Sequence, residues 1–521
     1  MLSGKESLGI EFGSTRIKVV LIDENFNSIA SGSYDWENRL ENGIWTYHND
    51  DIWKGLQSAY SSLNNDVENK FGHKIKTLSS IGFSAMMHGY LPFDKEGNQL
   101  AEFRTWRNTV TSEAADKLTK LFNFNIPQRW SIAHLYQAIL NGEEHVKDID
   151  YLTTLEGYVH WKLSGKKVIG VGEASGMFPI DSNTNDYDSS MLEKFASLEE
   201  LKKYNWSIRD ILPKSLVAGE NAGYLTEEGA KLLDVSGNLE PGCPMCPPEG
   251  DAGTGMVATN SITVRTGNVS AGTSIFAMIV LDKLLSKVYE EIDMVTTPTG
   301  KPVAMVHCNN CCTDLDYWVK LFIEFSSLTG SELTKPQIYD LLYNEALKGD
   351  ADCGGLVSYN YFSGEPVTGL SEGRPLFVRS ENAKMCLSNF MRTQVYSTFA
   401  SLKVGMEILE KENVIINKLT GHGGLFKTEF VGQKLMAGAL NTPVTVLETA
   451  GEGGAWDIAV LANYCINNGG MSLEEYLDKK VFSSCKSSTV EPDLKDNKGF
   501  SNYMSIYKEG LAVERSATEN I

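Results

Sequence analysis

A short turn near the start of the chain carries the residue types that bind phosphate. Gly13, Ser14 and Thr15 lie between two strand-like runs in the segment LGIEFGSTRIKVVLID, and Glu11 stands just before them. Glycine frees the backbone, so that N–H groups and hydroxyls in such a turn can surround a phosphate, and Arg16 adds a cation. The carboxylate is placed to hold a hydrated metal ion beside that phosphate. An ordinary hairpin has the same pattern, so the turn alone leaves both interpretations open.

The glycine-hydroxyl turn recurs in the second half of the chain, at Gly272, Thr273 and Ser274, again between strand-like runs. Two such turns, one from each half, are typical of a nucleotide held between two domains. Between them, Asp251 stands in the segment GDAGTG, which opens a predicted helix. Asp251 is either an N-cap or a general base that accepts a proton from a hydroxyl during phosphoryl transfer. A third glycine-rich turn, residues 421–424, either packs against an adenine ring or simply joins a strand to a helix.

Alternating strand-like and helix-like segments must position these turns. Residues 77–84 have the pattern of a buried strand, while residues 51–71 and 388–412 have helical periodicity. Such alternation predicts α/β layers. Residues 237–255 are rich in proline and glycine and have no periodicity, which predicts a connection between domains.

Bulk properties exclude several classes of protein. With 521 residues the chain is too long for one core, and its 42% hydrophobic and 22% charged residues are typical of a globular protein. The net charge of −20 argues against a nucleic-acid partner. No apolar run approaches the ~20 residues that span a bilayer. Because the first residues also lack the apolar core of a signal peptide, we expect a cytoplasmic protein.

The nine cysteines include two CxxC spacings, at Cys243–Cys246 and Cys308–Cys311. A four-thiolate zinc site is one interpretation of such pairs. The two pairs are much farther apart than in a compact zinc ribbon, and prolines crowd the first pair. An odd count and a cytosolic setting disfavour structural disulfides, so reduced thiols are the favoured interpretation.

Seven motifs occur in a set order along nearly the whole chain: GIEFGSTRIK, SAMMHG, TWRN, GEASGMFPID, GDAGTG, AGTSI and GHGG. In this order and spacing they resemble the FGGY family of carbohydrate kinases, and in particular its xylulokinase-like members. The resemblance implies an α/β fold with two actin/hexokinase-like (ribonuclease H-like) domains flanking an interdomain catalytic cleft. Residues 1–256 would carry the sugar site and the first phosphate turn. Residues 257–521 would carry the second phosphate turn and the adenosine site.

The resemblance also implies roles for individual residues. Asp251 matches the family's catalytic base, which deprotonates the sugar hydroxyl as it attacks the γ-phosphate. The residues implied to contact the sugar are Met87, His88, Trp106, Arg107 and Asp251. Those implied to bind ATP are Gly13, Ser14, Thr15, Arg16, Gly272, Thr273, Gly423 and Gly424. From the residues alone, His88 is also explained as a satisfied core histidine, Trp106 as a core residue and Arg107 as a surface cation.

Three departures from the family pattern stand out. Glu11 replaces the usual aspartate, and its extra methylene moves the carboxylate roughly 1.5 Å outward, so we expect it to reach Mg²⁺ through water. His134 and Gln137 replace the family's usual lysine and tryptophan. Residues 307–318 differ from the sequence that is usual there in xylulokinases. These differences predict a side branch with its own substrate.

The activity implied by the resemblance is ATP-dependent phosphorylation of a ketose sugar with Mg²⁺. D-xylulose is the first expected substrate, because SAMMHG resembles the Met-His-Gly of xylulokinases. L-ribulose, gluconate and a tetrose or polyol are alternatives. A different class is a superfold member that binds sugar or nucleotide without catalysis. The expected partner is a small sugar, with no nucleic acid and no membrane. The sequence leaves the oligomeric state open, and a homodimer is the candidate that the resemblance offers, because dimers are common among relatives.

Overall fold

The structure is a computed structural model that describes residues 4–448 and 453–521. The first three residues of the N-terminal segment considered for a signal peptide therefore lie outside the described residues. The strands are β1 (Ser7–Phe12), β2 (Arg16–Ile22), β3 (Ser28–Asp35), β4 (Arg39–Glu41), β5 (Ile44–Thr46), β6 (Ser80–Ala85), β7 (Leu91–Phe93), β8 (Tyr151–Thr153), β9 (Val168–Gly170), β10 (Ile180–Asp181), β11 (Asp186–Tyr187), β12 (Lys214–Leu216), β13 (Glu249–Gly250), β14 (Thr266–Ala271), β15 (Ile275–Val280), β16 (Asp293–Thr296), β17 (Pro302–Cys308), β18 (Leu356–Tyr359), β19 (Leu376–Arg379), β20 (Lys418–Gly423), β21 (Val444–Leu447) and β22 (Ser487–Val490).

The α-helices alternate with these strands along the chain. They are α1 (Asn49–Phe71), α2 (Ser112–Phe122), α3 (Ser131–Asn141), α4 (Leu155–Ser164), α5 (Val171–Met177), α6 (Ser189–Ala196), α7 (Ile208–Ile211), α8 (Glu227–Leu233), α9 (Asp251–Ala258), α10 (Thr313–Leu328), α11 (Lys335–Ala346), α12 (Leu387–Lys411), α13 (Val431–Leu440), α14 (Gly454–Asn467), α15 (Leu473–Tyr476) and α16 (Leu494–Asn520). None of the helices within residues 4–448 and 453–521 combines the length and the apolar character needed to cross a membrane.

The chain divides into two compact units. Unit 1 takes in the described residues within Met1–Ile262, Asp293–Val303 and Glu452–Ser484. Unit 2 takes in those within Thr263–Ile292, Ala304–Gly451 and Cys485–Ile521. The boundary between residues 256 and 257 stays a prediction.

Unit 1 is built on a mixed sheet in the order β13-β6-β1-β2-β3. Strands β1, β6 and β13 run parallel, whereas β2 and β3 continue from β1 as antiparallel neighbours. Along β1 the side chains of Leu8, Ile10 and Phe12 are fully buried in the core, in the alternation expected for a strand. On the other face, Gly9 lets helix α14 approach closely, since a Cβ there would lie 1.9 Å from the Ala455 carbonyl oxygen.

Unit 2 repeats the central part of this arrangement. Within unit 2 the strand order is β17-β15-β14-β20-β21-β22, with the β14–β15 hairpin antiparallel and β20 parallel to β14. In both units, then, a hairpin is joined on its first strand by a parallel strand that comes from farther along the chain. The α/β prediction is confirmed. Residues 237–255, predicted to connect domains, include strand β13 of the unit 1 sheet.

Candidate active site

Three strand ends bring the candidate residues of unit 1 to one edge of its sheet. In the parallel registers Phe12 pairs with Ala85, and Gly250 also pairs with Ala85. The residues that follow these strands are the Gly13 turn, Met86 and Asp251. Because parallel strands end at the same edge, this edge is the usual place for a ligand in an open α/β sheet.

The turn at residues 13–15, predicted to bind phosphate, is held by its carbonyl groups. The indole N–H of Trp36 donates to the Gly13 carbonyl at 2.7 Å, and the Tyr47 hydroxyl donates to the Ser14 carbonyl at 2.6 Å. The backbone N–H of Trp36 donates to the Thr15 carbonyl at 3.1 Å. Within the described part of the chain, the Ser14 and Thr15 N–H groups have no hydrogen-bond partner. Since the carbonyls are fixed, these two N–H groups are available to an anion.

Arg16, predicted to contact ATP, is engaged elsewhere on the surface. Its Nε donates to Asp35 at 2.6 Å, and both side chains are more than half exposed. An exposed pair of this kind is weakly held, so the guanidinium can leave it when another anion is bound.

Asp251 is the first residue of helix α9, and Gly250 is the N-cap residue. Its Oδ1 accepts the backbone N–H of Met87 at 3.0 Å. The surrounding protein raises the pKa of Asp251 by desolvation, while backbone N–H groups of Met87 and Ala252 lower it. The side chain is nevertheless exposed. Solvent therefore reaches Asp251, although the surrounding protein is close enough to desolvate its carboxylate.

Glu11 lies at the N-terminus of helix α14. Burial and then the negative charge of Asp251 raise the pKa of Glu11 from 4.5 to about 7. Lys18 and the Ala455 N–H act in the opposite direction. A Cβ at Gly454 would lie 2.3 Å from Glu11 Oε1, so only glycine leaves room for this carboxylate. Lys18 is the cross-strand partner of Glu11 in the β1–β2 hairpin.

These two carboxylates form a donor set that suits Mg²⁺. Glu11 and Asp251 are close enough for the charge of Asp251 to raise the pKa of Glu11. A divalent cation would relieve that repulsion, and Mg²⁺ usually binds through one or two carboxylates, water and substrate phosphates. Among the described residues, no group of three or more His, Cys, Asp or Glu side chains forms a metal site.

Met87 and His88 follow strand β6 and are both buried. Their side chains pack against Gly176 of helix α5, where a Cβ would lie 2.4 Å from His88 Nδ1 and 2.7 Å from Met87 Cε. The His88 ring is stacked on Trp130 at 6.2 Å, and its Nδ1 lies 3.3 Å from the Gly176 carbonyl oxygen. The motif GEASGM therefore supplies the surface on which the Met-His pair is held.

Arg107 contacts Trp45, a residue that the sequence did not single out. The Arg107 guanidinium lies 3.8 Å from the centre of the Trp45 ring, a cation–π contact. The Asn108 side chain fixes the backbone of Trp45 by two hydrogen bonds, of 2.9 and 2.8 Å. Trp106 is 38% exposed, so it is not a core residue. Within the described residues, no hydrogen bond or ring contact joins this pair to Met87 or Asp251.

Unit 2 holds its glycine-hydroxyl turn in the same way. The N–H groups of Cys312 and Cys311 donate to the carbonyls of Gly272 and Thr273, each at 3.0 Å. In the parallel register Ala271 pairs with Gly423, so Gly272 and the Gly423–Gly424 segment lie at one edge of the unit 2 sheet. Gly423 has φ +99°, and a Cβ there would lie 2.4 Å from the Ala271 carbonyl oxygen, so glycine is required.

The cysteines are free thiols. Cys311 and Cys312 are buried with their sulfur atoms 3.5 Å apart. Burial raises the pKa of the Cys243, Cys246, Cys308 and Cys311 thiols.

Comparison with known proteins identifies the family. The model for the N-terminal domain of the FGGY family of carbohydrate kinases matches residues 7–240, and the model for its C-terminal domain matches residues 267–466. The chain belongs to the FGGY family of carbohydrate kinases. It is therefore a sugar phosphotransferase, as the sequence motifs implied, and kinases of this family use ATP.

Relatives extend the match over the full length. The xylulose kinase of Haemophilus influenzae is 20% identical over 523 residues, covering 97% of this chain and 99% of that protein. The structure called a xyloylose kinase from Brucella ovis matches with a TM-score of 0.77 at 17% identity, covering 98% of this chain and 100% of that one. Plasmodium falciparum glycerol kinase with ADP matches with a TM-score of 0.75 at 16% identity, covering 98% of each chain. These structures confirm the predicted actin-like fold.

Proposed function

We propose that this FGGY kinase transfers the γ-phosphoryl group of ATP to a hydroxyl of a ketose sugar, D-xylulose first, with Asp251 as the general base. The observation that carries the proposal is the position of Asp251. Its carboxylate is open to solvent at the sheet edge shared by the first phosphate turn and the Met87–His88 pair.

The surroundings of Asp251 suit a base. The Met87 N–H fixes Oδ1, so the carboxylate has a set orientation before substrate arrives. Desolvation by the surrounding protein raises its pKa above the ordinary value of an aspartate, which strengthens it as a proton acceptor. Deprotonation of the sugar hydroxyl as it attacks the γ-phosphorus then leaves the proton on Asp251 and ADP as the leaving group.

The two turns supply donors for the phosphate oxygens. In unit 1 the Ser14 and Thr15 N–H groups are the proposed donors, and in unit 2 we propose the same role for Gly272 and Thr273. Donors fixed before the reaction stabilise charge without further reorganisation. We propose that Gly423 and Gly424 contact the adenosine, since glycine leaves room for a flat ring.

Mg²⁺ would be held by Glu11 through water, with Asp251 as the neighbouring carboxylate. When bound, the ion neutralises charge on the phosphate oxygens. Because the Ala455 N–H and Lys18 already engage Glu11, its carboxylate is oriented at the sheet edge without the metal.

The identity of the sugar is the part of the proposal that has alternatives. The Met87–His88 pair and the full-length similarity to a xylulose kinase support D-xylulose. L-ribulose, gluconate and tetroses or polyols are the alternatives. A panel of ketoses, aldonates and polyols in a coupled ADP-release assay would separate them, and we expect the highest kcat/KM with D-xylulose.

The role of Asp251 is tested by Asp251→Asn. The amide oxygen can still accept the Met87 N–H, so the variant should fold normally and bind sugar. A general base contributes about 10²–10⁴-fold, so we expect phosphorylation to fall by that factor. Asp116→Asn makes the same chemical change at an exposed position of helix α2 and should leave turnover intact. Turnover of Asp251→Asn close to that of Asp116→Asn would refute the assignment.

A further inference from the structure

Two consecutive N–H groups of the turn that follows strand β6 donate to two different carboxyl groups. The Met87 N–H donates to Asp251 at 3.0 Å, and the His88 N–H donates to Glu173 Oε1 at 2.9 Å. Glu173 lies on helix α5 and is fully buried. The proposed base and this glutamate thus fix neighbouring peptide groups.

The turn needs such support because of its backbone. His88 has φ +72°, in the left-handed region that residues with a Cβ rarely adopt. A conformation of this kind persists when surrounding contacts determine it. Here those contacts are the hydrogen bond to Glu173, the stacking of the ring on Trp130 and the packing against Gly176.

Glu249 in turn orients Glu173 through the backbone of helix α5. The Glu249 carboxylate accepts the N–H groups of Gly172 at 3.2 Å and of Glu173 itself at 3.0 Å, at the first turn of α5. Glu249 is 1% exposed, and a Cβ at Gly172 would lie 2.5 Å from its Oε2. The first N–H groups of a helix have no partner within the helix, and the Glu249 side chain satisfies two of them here. Glu249 therefore sets the place of α5, and α5 sets the place of the Glu173 side chain.

We propose that Glu173 is a positioning residue for sugar phosphorylation and that Glu249 supports it. Glu173 holds His88 in its left-handed conformation, which places the imidazole toward the sugar and keeps the Met87 N–H on Asp251. The proposal rests on the proposed function, since it assumes that Met87 and His88 contact the sugar.

Glu173 acts here as an acceptor and not through its charge. Burial, and after it the neighbouring Glu156 carboxyl, raise the pKa of Glu173 well above the ordinary value, so the folded protein favours the neutral form of this carboxyl. Glutamine has the same shape, is neutral and keeps an oxygen for the His88 N–H. Glu173→Gln should therefore behave like the wild type.

Glu156 is a matched control in the same buried cluster. It is also fully buried, and burial raises its pKa to about 8. Its carboxylate accepts the Thr154 hydroxyl, and no hydrogen bond within the described residues joins it to Met87, His88 or Asp251. Glu156→Ala thus removes a buried carboxyl without releasing the turn.

The experiment compares Glu173→Ala, Glu173→Gln and Glu156→Ala. KM and kcat are measured for the sugar that the wild type uses best, and sugar binding is measured by calorimetry. We expect Glu173→Ala to raise the sugar KM and Kd about tenfold or more and to lower kcat, since small misplacement of contacting groups is costly. Its KM for ATP should stay within twofold. Glu173→Gln and Glu156→Ala should stay within threefold of the wild type in all constants.

Three results would overturn the proposal: an unchanged sugar Kd in Glu173→Ala, an equal rise in Glu156→Ala, or a failure of Glu173→Gln to restore the constants. If Glu173→Ala does not fold, Glu249→Gln and Glu156→Gln decide. In Glu249→Gln an amide N–H₂ replaces one acceptor of the α5 N–H groups, so only this variant should raise the sugar Kd.

Failure of the positioning role is distinguishable from failure of the proposed function. If the wild type phosphorylates no sugar of the panel, the proposed function fails before any variant is compared. If the wild type is active and the Glu173 and Glu156 variants behave alike, the positioning role alone is refuted.

Discussion

Replacing Glu11 by glutamine should stabilise unit 1 while impairing the kinase. The folded protein raises the pKa of Glu11 from 4.5 to about 7, mainly by burial and then by the charge of Asp251. The folded state therefore prefers the protonated carboxyl. Below pH 4.5 the group is protonated in the folded and unfolded states alike, and its ionisation has no effect on stability. As pH rises above 4.5 the folded state loses stability relative to the unfolded one, and above pH 7 the loss is complete.

The size of the effect follows from the two pKa values. One pKa unit corresponds to ~1.36 kcal/mol, so ionisation of Glu11 costs about 3 kcal/mol at pH 8 and about 1 kcal/mol at pH 5. Glutamine resembles the protonated glutamate and keeps an oxygen for the Ala455 N–H. Glu11→Gln should thus be more stable than the wild type by about 3 kcal/mol at pH 8, and by about 1 kcal/mol at pH 5.

Urea unfolding at the two pH values, without nucleotide or Mg²⁺, measures this difference. Glu68→Gln is the control, because it makes the same change on an exposed position of helix α1 and should have no such effect. Kinase activity should fall in Glu11→Gln, and its dependence on Mg²⁺ concentration should move to higher concentration. Equal stability gains at pH 5 and pH 8, or lower stability of Glu11→Gln than of the wild type at pH 8, would refute the reasoning.

Three further predictions follow from the described contacts. The kcat/KM for the sugar should fall as pH is lowered, with an apparent pKa above the ordinary 3.8 of an aspartate, because desolvation by the surrounding protein raises the pKa of Asp251. A pH–rate profile measures this apparent pKa. Trp36→Phe removes the donor to the Gly13 carbonyl and should raise the KM for ATP about fivefold, the value of one hydrogen bond of ~1 kcal/mol. Iodoacetamide should label Cys386 first, because it is exposed and hydrogen bonding to Ser388 lowers its pKa.

Each of these has a contradicting outcome. An acidic limb at or below pH 3.8 would contradict the raised pKa of Asp251. For Trp36→Phe, the KM for sugar is the internal control, and an equal rise in both KM values would indicate a general defect instead of a loosened turn. Peptide mapping that finds a buried thiol labelled before Cys386 would contradict the burial pattern.

The sequence alone determined the elements whose signals are local. The periodicity at residues 51–71 matches helix α1 at Asn49–Phe71, and the predicted helix at 388–412 matches Leu387–Lys411. The two glycine-hydroxyl turns do lie between paired strands. Both the turn and the strands depend on the types of residues that are close together in the sequence, so they could be predicted. The motif order was sufficient to indicate the family, which the family models confirm.

Tertiary structure decided which side chains surround these motifs. The Glu173 contact with His88, the Glu249 contact with helix α5 and the place of Glu11 at helix α14 join residues that are far apart in sequence. Such contacts depend on the register of the sheet and on how each helix is placed on it, and no local pattern carries that information. The raised pKa values of Glu11 and Asp251 depend likewise on desolvation, which exists only once the chain is packed. Sequence thus indicated the groups that are proposed to do the chemistry, and the fold set their environment and orientation.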